Sequence, residues 1–450
     1  MSNEGNTLVS KGSAALDIGD SEIDSLFVEA LEGACSKLGK LSSALLIPPD
    51  ITRFHSRAGF LTGIAYRELS AKGISVTILP ALGTHTPLTN AERGRMYPGI
   101  PESLFRVHDW RNDVVELDRI EQEWVENITE GAVSYDWPVQ VNKMLQSNGP
   151  DGGFDLIVSL GQVVPHEVIG MANHAKNLFV GTGGKEAIDK SHFAGAAYGM
   201  EKMMGRIDTP VRAMFDEGFR RSSGKIPPVL FALTVLSARS EAEAAAAGKP
   251  RGSLAMRGLY CGFCRDCFTQ AAALAQQVNV DLLGEPIRKA VVYLEPEEFR
   301  TTWLGNKAIY RTRMAMADNG ELLIIAPGLE RFGEDMGIDA LIRRYGYRPA
   351  RVIREKVKAH ADLANSFSAA AHLIHGSSEG RFTVRYCPGQ GVSRQEIESV
   401  GFEWGDIGEA MARYKVNALA TGWNTGTDGE RFFFVPNPAL GLWALKEKFI

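Results

Sequence analysis

The sequence predicts an α/β fold of two α/β domains with mostly parallel sheets, the active site lying in the cleft between them. Short β-rich apolar runs alternate with helix-like stretches, and the early runs end in loops carrying Asp, Arg, Thr or His. A parallel sheet gathers such loops along one edge, where ligands bind. A length of 450 residues, 44% of them hydrophobic, supplies more than one packed core.

Taken in order, residues 1–20 are polar and contain Gly and Ser, which predicts a flexible N-terminal arm. A first domain is expected over 21–283. Its first strand, Ser43 to Ile47, ends in Pro48-Pro49-Asp50. Ser56 to Lys72 has helical length and an apolar stripe of Phe60, Ile64 and Leu69. The second strand, Ile74 to Leu79, runs into Pro80 and then Gly83-Thr84-His85, and the third, Phe154 to Leu160, runs into Gly161 and Pro165-His166. This is a βαβ rhythm. The Ala-rich stretch from Glu241 to Gly248 reads as a surface helix. Gly284 and Pro286 punctuate the boundary to a second domain over 284–450. Its strands are expected at 289–294, 321–325, 382–386 and 432–435, with helical patterning over 333–375. No repeat of fixed period and no heptad pattern is present.

Composition narrows the function classes. Forty-nine basic against 54 acidic residues give a net charge of −5, which argues against a broad nucleic-acid footprint. No apolar run approaches the roughly 18–20 residues that a bilayer span needs. The N-terminal residues lack a basic segment followed by an apolar one, so they do not read as a secretory signal. Five cysteines make no disulfide framework. A cytoplasmic protein acting on a small molecule, without nucleic acid or membrane, is the expectation.

Four segments can carry chemistry. In Pro48-Pro49-Asp50-Ile51-Thr52-Arg53 the prolines set a rigid bend, and Asp50 and Arg53 can share one face of a helix's opening turn. They read either as an N-cap with a surface arginine, or as an arginine fork for a carboxylate with Asp50 as polar anchor. Gly83-Thr84-His85-Thr86-Pro87 fixes a histidine in a tight loop; it is either merely exposed or a general acid or base. From Val164 to His192 lie His166, His174, Lys176 and His192, with Gly181-Thr182-Gly183-Gly184 between. The histidine spacings of 8 and 18 match no ordinary zinc pattern, His174 reads as structural by default, and the glycines are a weak signal for a phosphate cradle. Cys261, Cys264 and Cys267 resemble part of an iron–sulfur or zinc ligand run, or pack as small apolar side chains. A non-catalytic metal- or cluster-binding protein is therefore the alternative of a different class.

Together PPDITR, GTHTP and PHEVIGMANHAK, the last followed sixteen residues later by a histidine, resemble the nickel-pincer lactate racemase family. The likeness covers most of residues 40–330 in order and extends more weakly to the C-terminus. It implies nickel held by the pincer atoms of a niacin-derived mononucleotide (a pyridinium thioamide/thiocarboxylate) that is tethered to a lysine. Lys176 matches the tethering lysine, His192 the protein's nickel ligand, and His85 and His166 the acid/base pair. Asp50 matches a residue lining the site on the cofactor side and Arg53 one on the substrate side. Tyr310, Arg311 and Arg313 fall in a segment similar to the substrate-lining one of the second domain.

The implied chemistry suits these residue types. Removing the α-proton of a 2-hydroxy acid would set a carbanion beside a carboxylate. Removing a hydride instead leaves a planar 2-keto acid that can be re-reduced on either face. The hydroxyl proton leaves with the hydride, and each stereoisomer wants its own base. Departures from the family also matter. Met171-Ala172-Asn173-His174-Ala175 replaces a glycine-rich stretch, Arg311 stands where a glutamine is expected, and Met314 where a substrate-binding lysine is expected. These changes point to epimerisation of a sugar acid of the gluconate/mannonate type rather than lactate, or else to racemisation of a smaller 2-hydroxy acid.

Overall fold

Ala44, Leu45, Leu46 and Ile47 are fully buried, as befits a parallel strand covered on both faces. The computed structural model of the chain describes residues 6–149, 153–250, 252–439 and 441–449. The chain divides into two units: Met1–Ser191 with Met204–Asn279, and His192–Met203 with Val280–Ile450.

In chain order the first unit holds β1 (Thr7–Gly12), β2 (Ser43–Ile47), β3 (Ser75–Ile78), β4 (Val114–Ile120), β5 (Trp137–Asn142), β6 (Leu156–Gln162), β7 (Pro165–His166), β8 (Gly170–Met171), β9 (Val229–Ala238) and β10 (Leu254–Gly262). Six of these form one sheet in the order β1-β10-β9-β6-β2-β3. β3, β2, β6 and β9 run parallel, and β10 and β1 extend the sheet antiparallel. β4 pairs with β5, and β7 with β8, as separate antiparallel ladders. Helix Asp20–Leu38 buries Ile23, Phe27, Ala30, Leu31 and Ala34, the spacing of one helical face. Phe27 and Leu31 share a core with Leu61 and Ile64 of helix Ala58–Ala71 and with Leu46, Val158 and Leu230 of the sheet.

Two expectations need correction. Residues 7–12 are not part of an arm. They pair with β10 from Thr7↔Gly262 to Gly12↔Gly258, and Val9 is buried. The cause is the edge of β10, whose main-chain groups need partners that the short apolar signal of Thr7 to Gly12 did not advertise. The division into units also differs from a single boundary at 283/284. Val280–Leu283 is a strand of the second unit, and residues 192–203 belong to that unit as well.

The second unit holds β11 (Val280–Leu283), β12 (Ile287–Tyr293), β13 (Met316–Ala326), β14 (Thr383–Pro388), β15 (Glu403–Trp404), β16 (Gly422–Thr425), β17 (Arg431–Val435) and β18 (Leu442–Leu445). Its six-stranded sheet has the order β15-β14-β13-β12-β17-β16, parallel except for the edge strand β16. β11 and β18 form a parallel pair. Helices Met336–Tyr345, Ala350–Ala359, Ala361–Ala364 and Phe367–His375 occupy the stretch between β13 and β14. Both sheets are mostly parallel, and the fold is α/β in each unit. Among the described residues no helix is long and apolar enough to cross a membrane.

Candidate active site

The carboxyl ends of β6, β2 and β3 lie side by side in the sheet, so the loops that leave them meet. Ala81 N–H donates to the Pro48 carbonyl at 2.7 Å, and Gly83 N–H to the Gly181 carbonyl at 2.9 Å. Asn177 donates to the Ile47 carbonyl at 3.1 Å and to Ser159 Oγ at 3.0 Å. Gly83 takes φ +57°, and a Cβ there would stand 3.3 Å from the Val180 carbonyl. Each loop is thus held by another.

Asp50 sits at the start of the 3-10 turn Ile51–Ser56 and caps it, Oδ1 accepting from Thr52 N–H at 3.2 Å and from Thr52 Oγ1 at 2.5 Å. Its other oxygen, Oδ2, lies 2.6 Å from Nδ1 of His85. The Asp50 side chain is only 6% exposed and that of His85 59%, so the carboxylate stands behind the ring and the ring faces water. Burial pushes the Asp50 carboxyl upward, but the hydrogen bond and charge of His85, with Thr52 and Arg53, outweigh it and hold the group below its ordinary value. Tyr97, also buried, donates its hydroxyl to the Pro49 carbonyl and pins the bend from behind.

Lys176 stands in the first turn of helix Ala175–Phe179. Burial lowers its amine to about 8, the positive charge of Arg53 adds to this, and Glu167 and Asp50 oppose it. Among the described residues no hydrogen bond holds the amine. Just before it, Asn173 and His174 take φ of +71° and +59° in succession. Non-glycine residues rarely adopt this left-handed geometry. Arg212, fully buried, donates to the Met171 carbonyl at 2.6 Å and to the Asn173 carbonyl at 3.2 Å. His174 itself points into an aromatic core, its ring 4.0 Å from that of Phe231 and 5.4 Å from that of Phe268. Burial, with Arg212 and Arg265, keeps it neutral. It packs as a core side chain.

His166 is buried on β7, in the ladder that pairs it with Gly170. Its Nδ1 accepts the Val168 main-chain N–H at 3.1 Å. His166 and Lys176 therefore belong to one loop system that follows β6, and Glu167, beside His166, acts electrostatically on Lys176.

The remaining candidates lie in the second unit. His192, half-buried, is on helix Lys185–Tyr198, at the residue where that unit's share of the helix begins. Tyr310 and Arg311 are buried on helix Lys307–Thr312, and Arg311 donates to the Gly441 carbonyl at 3.1 Å. Arg313 is 2% exposed, with Glu201 at 3.6 Å and Glu379 at 3.8 Å. Its charge is matched inside its own unit.

Two motifs find ordinary explanations. A Cβ on Gly183 would meet the Phe179 carbonyl at 1.9 Å and one on Gly184 would meet Gln140 Oε1 at 2.4 Å, so these glycines serve close packing of the chain on itself. Cys261 and Cys267 are buried; the Cys267 thiol lies 3.0 Å from the Cys264 carbonyl and burial pushes it up to about 12. Among the described residues no group of three or more His, Cys, Asp or Glu side chains is placed to hold a metal. Cys261 and Cys267 pack as small apolar side chains, and among the described residues the cluster-binding alternative finds no ligand set.

Residues 28–204 match the family model of the lactate racemase N-terminal domain. Over this stretch the chain is similar to the N-terminal domain of lactate racemase. Asp50, Arg53, His85, His166, Lys176 and His192 all lie inside it. Comparison with curated proteins returns no match. Among solved structures, a crystal structure of a Thermotoga maritima protein superposes with a TM-score of 0.76 at 23% identity, covering 96% of this chain and all of that one. The lactate racemase apoprotein of Thermoanaerobacterium thermosaccharolyticum superposes with a TM-score of 0.68 at 13% identity, covering 98% and 96%. At these identities the likeness establishes the shared fold.

Tyr97, Arg212 and the Val168 N–H carried no warning in the sequence. An arginine in an amphipathic helix reads as surface, and a main-chain donor has no side-chain signature.

Proposed function

We propose that this protein is a racemase or epimerase that inverts C2 of a 2-hydroxy acid with a lysine-tethered nickel-pincer nucleotide as cofactor. The observation that carries the reading is a carboxylate-backed imidazole, Asp50–His85 at 2.6 Å, in the same loop system as an amine lowered to about 8. With that value about one Lys176 in ten is neutral and nucleophilic at pH 7, against fewer than about one in a thousand for an ordinary lysine. That fits an amine meant to form a covalent bond. The donor chemistry fits too. One half-buried imidazole, His192, with no protein ligand cluster among the described residues, suits a metal whose other ligands come from an organic group. Bound there, such a group would accept a hydride from C2 of the substrate and return it.

The chain's own part is positioning and proton movement. Asp50 fixes the His85 ring through Nδ1, and His85 takes the proton of the substrate hydroxyl as C2 becomes planar. Arg53, half-buried and with no side-chain hydrogen bond or ion pair among the described residues, is suited to hold the substrate carboxylate as a two-pronged donor. His166 serves the opposite stereoisomer. A sugar acid of the gluconate/mannonate type is the proposed substrate, on the strength of Arg311 for glutamine and Met314 for lysine; a smaller hydroxy acid is the second choice. Arg313 is matched by Glu201 and Glu379, and Arg311 is the arginine proposed to meet the extra hydroxyls.

The test is a stereochemical screen of C2-deuterated 2-hydroxy and aldonic acids with protein made alongside the cofactor-synthesis enzymes. Inversion with the label kept, no need for added NAD, and a mass adduct on Lys176 are expected. Loss of deuterium to solvent would replace the hydride reading with proton abstraction, and active enzyme with unmodified Lys176 would end the tether.

A further inference from the structure

We infer that the two site histidines rest in opposite tautomers, so that His85 presents a bare Nε2 while His166 keeps its proton on Nε2 and acts as a hydrogen-bond donor. The consequence for catalysis rests on the racemase reading; the tautomers rest on geometry alone. A carboxylate only accepts, and Asp50 Oδ2 stands 2.6 Å from His85 Nδ1, so the His85 proton is on Nδ1. A main-chain N–H only donates, and that of Val168 points at His166 Nδ1 from 3.1 Å, so this nitrogen carries the lone pair and the neutral ring's proton lies on Nε2. Glu167 Oε2, 3.8 Å from the same nitrogen, is outside hydrogen-bond range and does not reverse the assignment.

The local fold makes this arrangement hard to undo. His166 pairs with Gly170 across the β7–β8 ladder, and Val168 lies in the turn between them, so the donor comes from the histidine's own hairpin. Both His166 and Val168 are buried. Moving the proton to Nδ1 would set two donors face to face and leave a buried N–H unmatched. On the racemase reading His85 is therefore the resting base, and His166 donates its Nε2–H to a substrate oxygen. The stereoisomer that needs a base at position 166 must first break the Val168 hydrogen bond, a cost that both directions of the inversion share and that leaves the equilibrium unchanged.

Long-range ¹H–¹⁵N correlation on ¹⁵N-histidine-labelled full-length protein without cofactor, at about pH 7.5, reads the tautomers directly. His85→Gln and His166→Gln assign the signals. The expected pattern is Nδ1–H for His85 and Nε2–H for His166; a His166 protonated on Nδ1, or on both nitrogens, overturns the inference. In loaded enzyme, His166→Gln retains a donor near the Nε2 position, and its kcat/KM is expected to exceed that of His166→Ala at least about tenfold. Equal loss in both variants would assign His166 as a base and overturn the donor role. If the NMR pattern is as stated and no hydroxy acid is inverted, the racemase reading falls and the tautomers stand.

Discussion

Asp50 uses its two oxygens for different tasks, one closing the turn through Thr52 and the other gripping His85. Asn in its place keeps an oxygen for the turn and loses the second carboxylate oxygen that orients the His85 ring. Asp50→Asn is therefore expected to cut kcat by about 10²–10⁴-fold with little change in KM, by steady-state kinetics on loaded enzyme. The same carboxyl has a linkage consequence. Its folded value lies below its unfolded one, so its contribution is present above the unfolded value and lost as pH falls through the folded one. Thermal melts should show wild type losing more stability than Asp50→Asn on acidification through that window. Lys176 behaves in the opposite sense. Between about 8 and its ordinary 10.5 the unfolded chain holds the extra proton, so stability rises with pH across that window. Lys176→Met should melt above wild type at neutral pH, and this advantage should shrink as pH approaches 10. A constant difference would mean that the folded amine titrates normally. Asp50, His85 and His166 of the proposed site were legible as candidates because each sits just beyond an apolar run. The grip of Asp50 on His85 was not, since 35 positions separate them and only the sheet order closes the gap.

At the scale of elements, the parallel strands were legible because burial on both faces forces continuous apolar runs, as in Ala44 to Ile47. β1 was not, because an edge strand buries little and its signal is main-chain pairing. The loop from β8 to helix Ala175–Phe179 was also opaque: Asn173 and His174 look unremarkable in sequence, yet both turn left-handed. Such a pair costs roughly 1–2 kcal/mol per residue, and Arg212 offsets it by binding the Met171 and Asn173 carbonyls. Arg212→Met strips both carbonyls of their partner and is expected to destabilise the protein by about 2–4 kcal/mol in urea melts. Gly183→Ala has no room for its methyl beside the Phe179 carbonyl, and a loss of about 1–3 kcal/mol is expected by the same measurement.

On the scale of the whole molecule, the sequence located two α/β regions and placed their division within a few residues of one of the observed breaks, but a single cut is not how the chain is organised. Residues 192–203 fold with the second unit, where Phe193 stacks on Phe367 at 4.7 Å and Glu201 accepts from Arg381 at 2.8 Å. Linear reading missed this because helix Lys185–Tyr198 has an unbroken pattern through the change of unit. A fragment of residues 284–450 lacks both contacts, together with β11, the partner of β18. It is expected to show a broad thermal transition and rapid proteolysis; a sharp cooperative melt would show that the missing segments are dispensable.

That interlacing bears on how such proteins can be recombined. A chimera that borrows its C-terminal half from a relative inherits a mismatched insert unless the short helical passage travels with it. Swapping specificity between homologues therefore demands three crossovers rather than one, and a single splice near 283 should yield poorly folded hybrids even when each parent is sturdy.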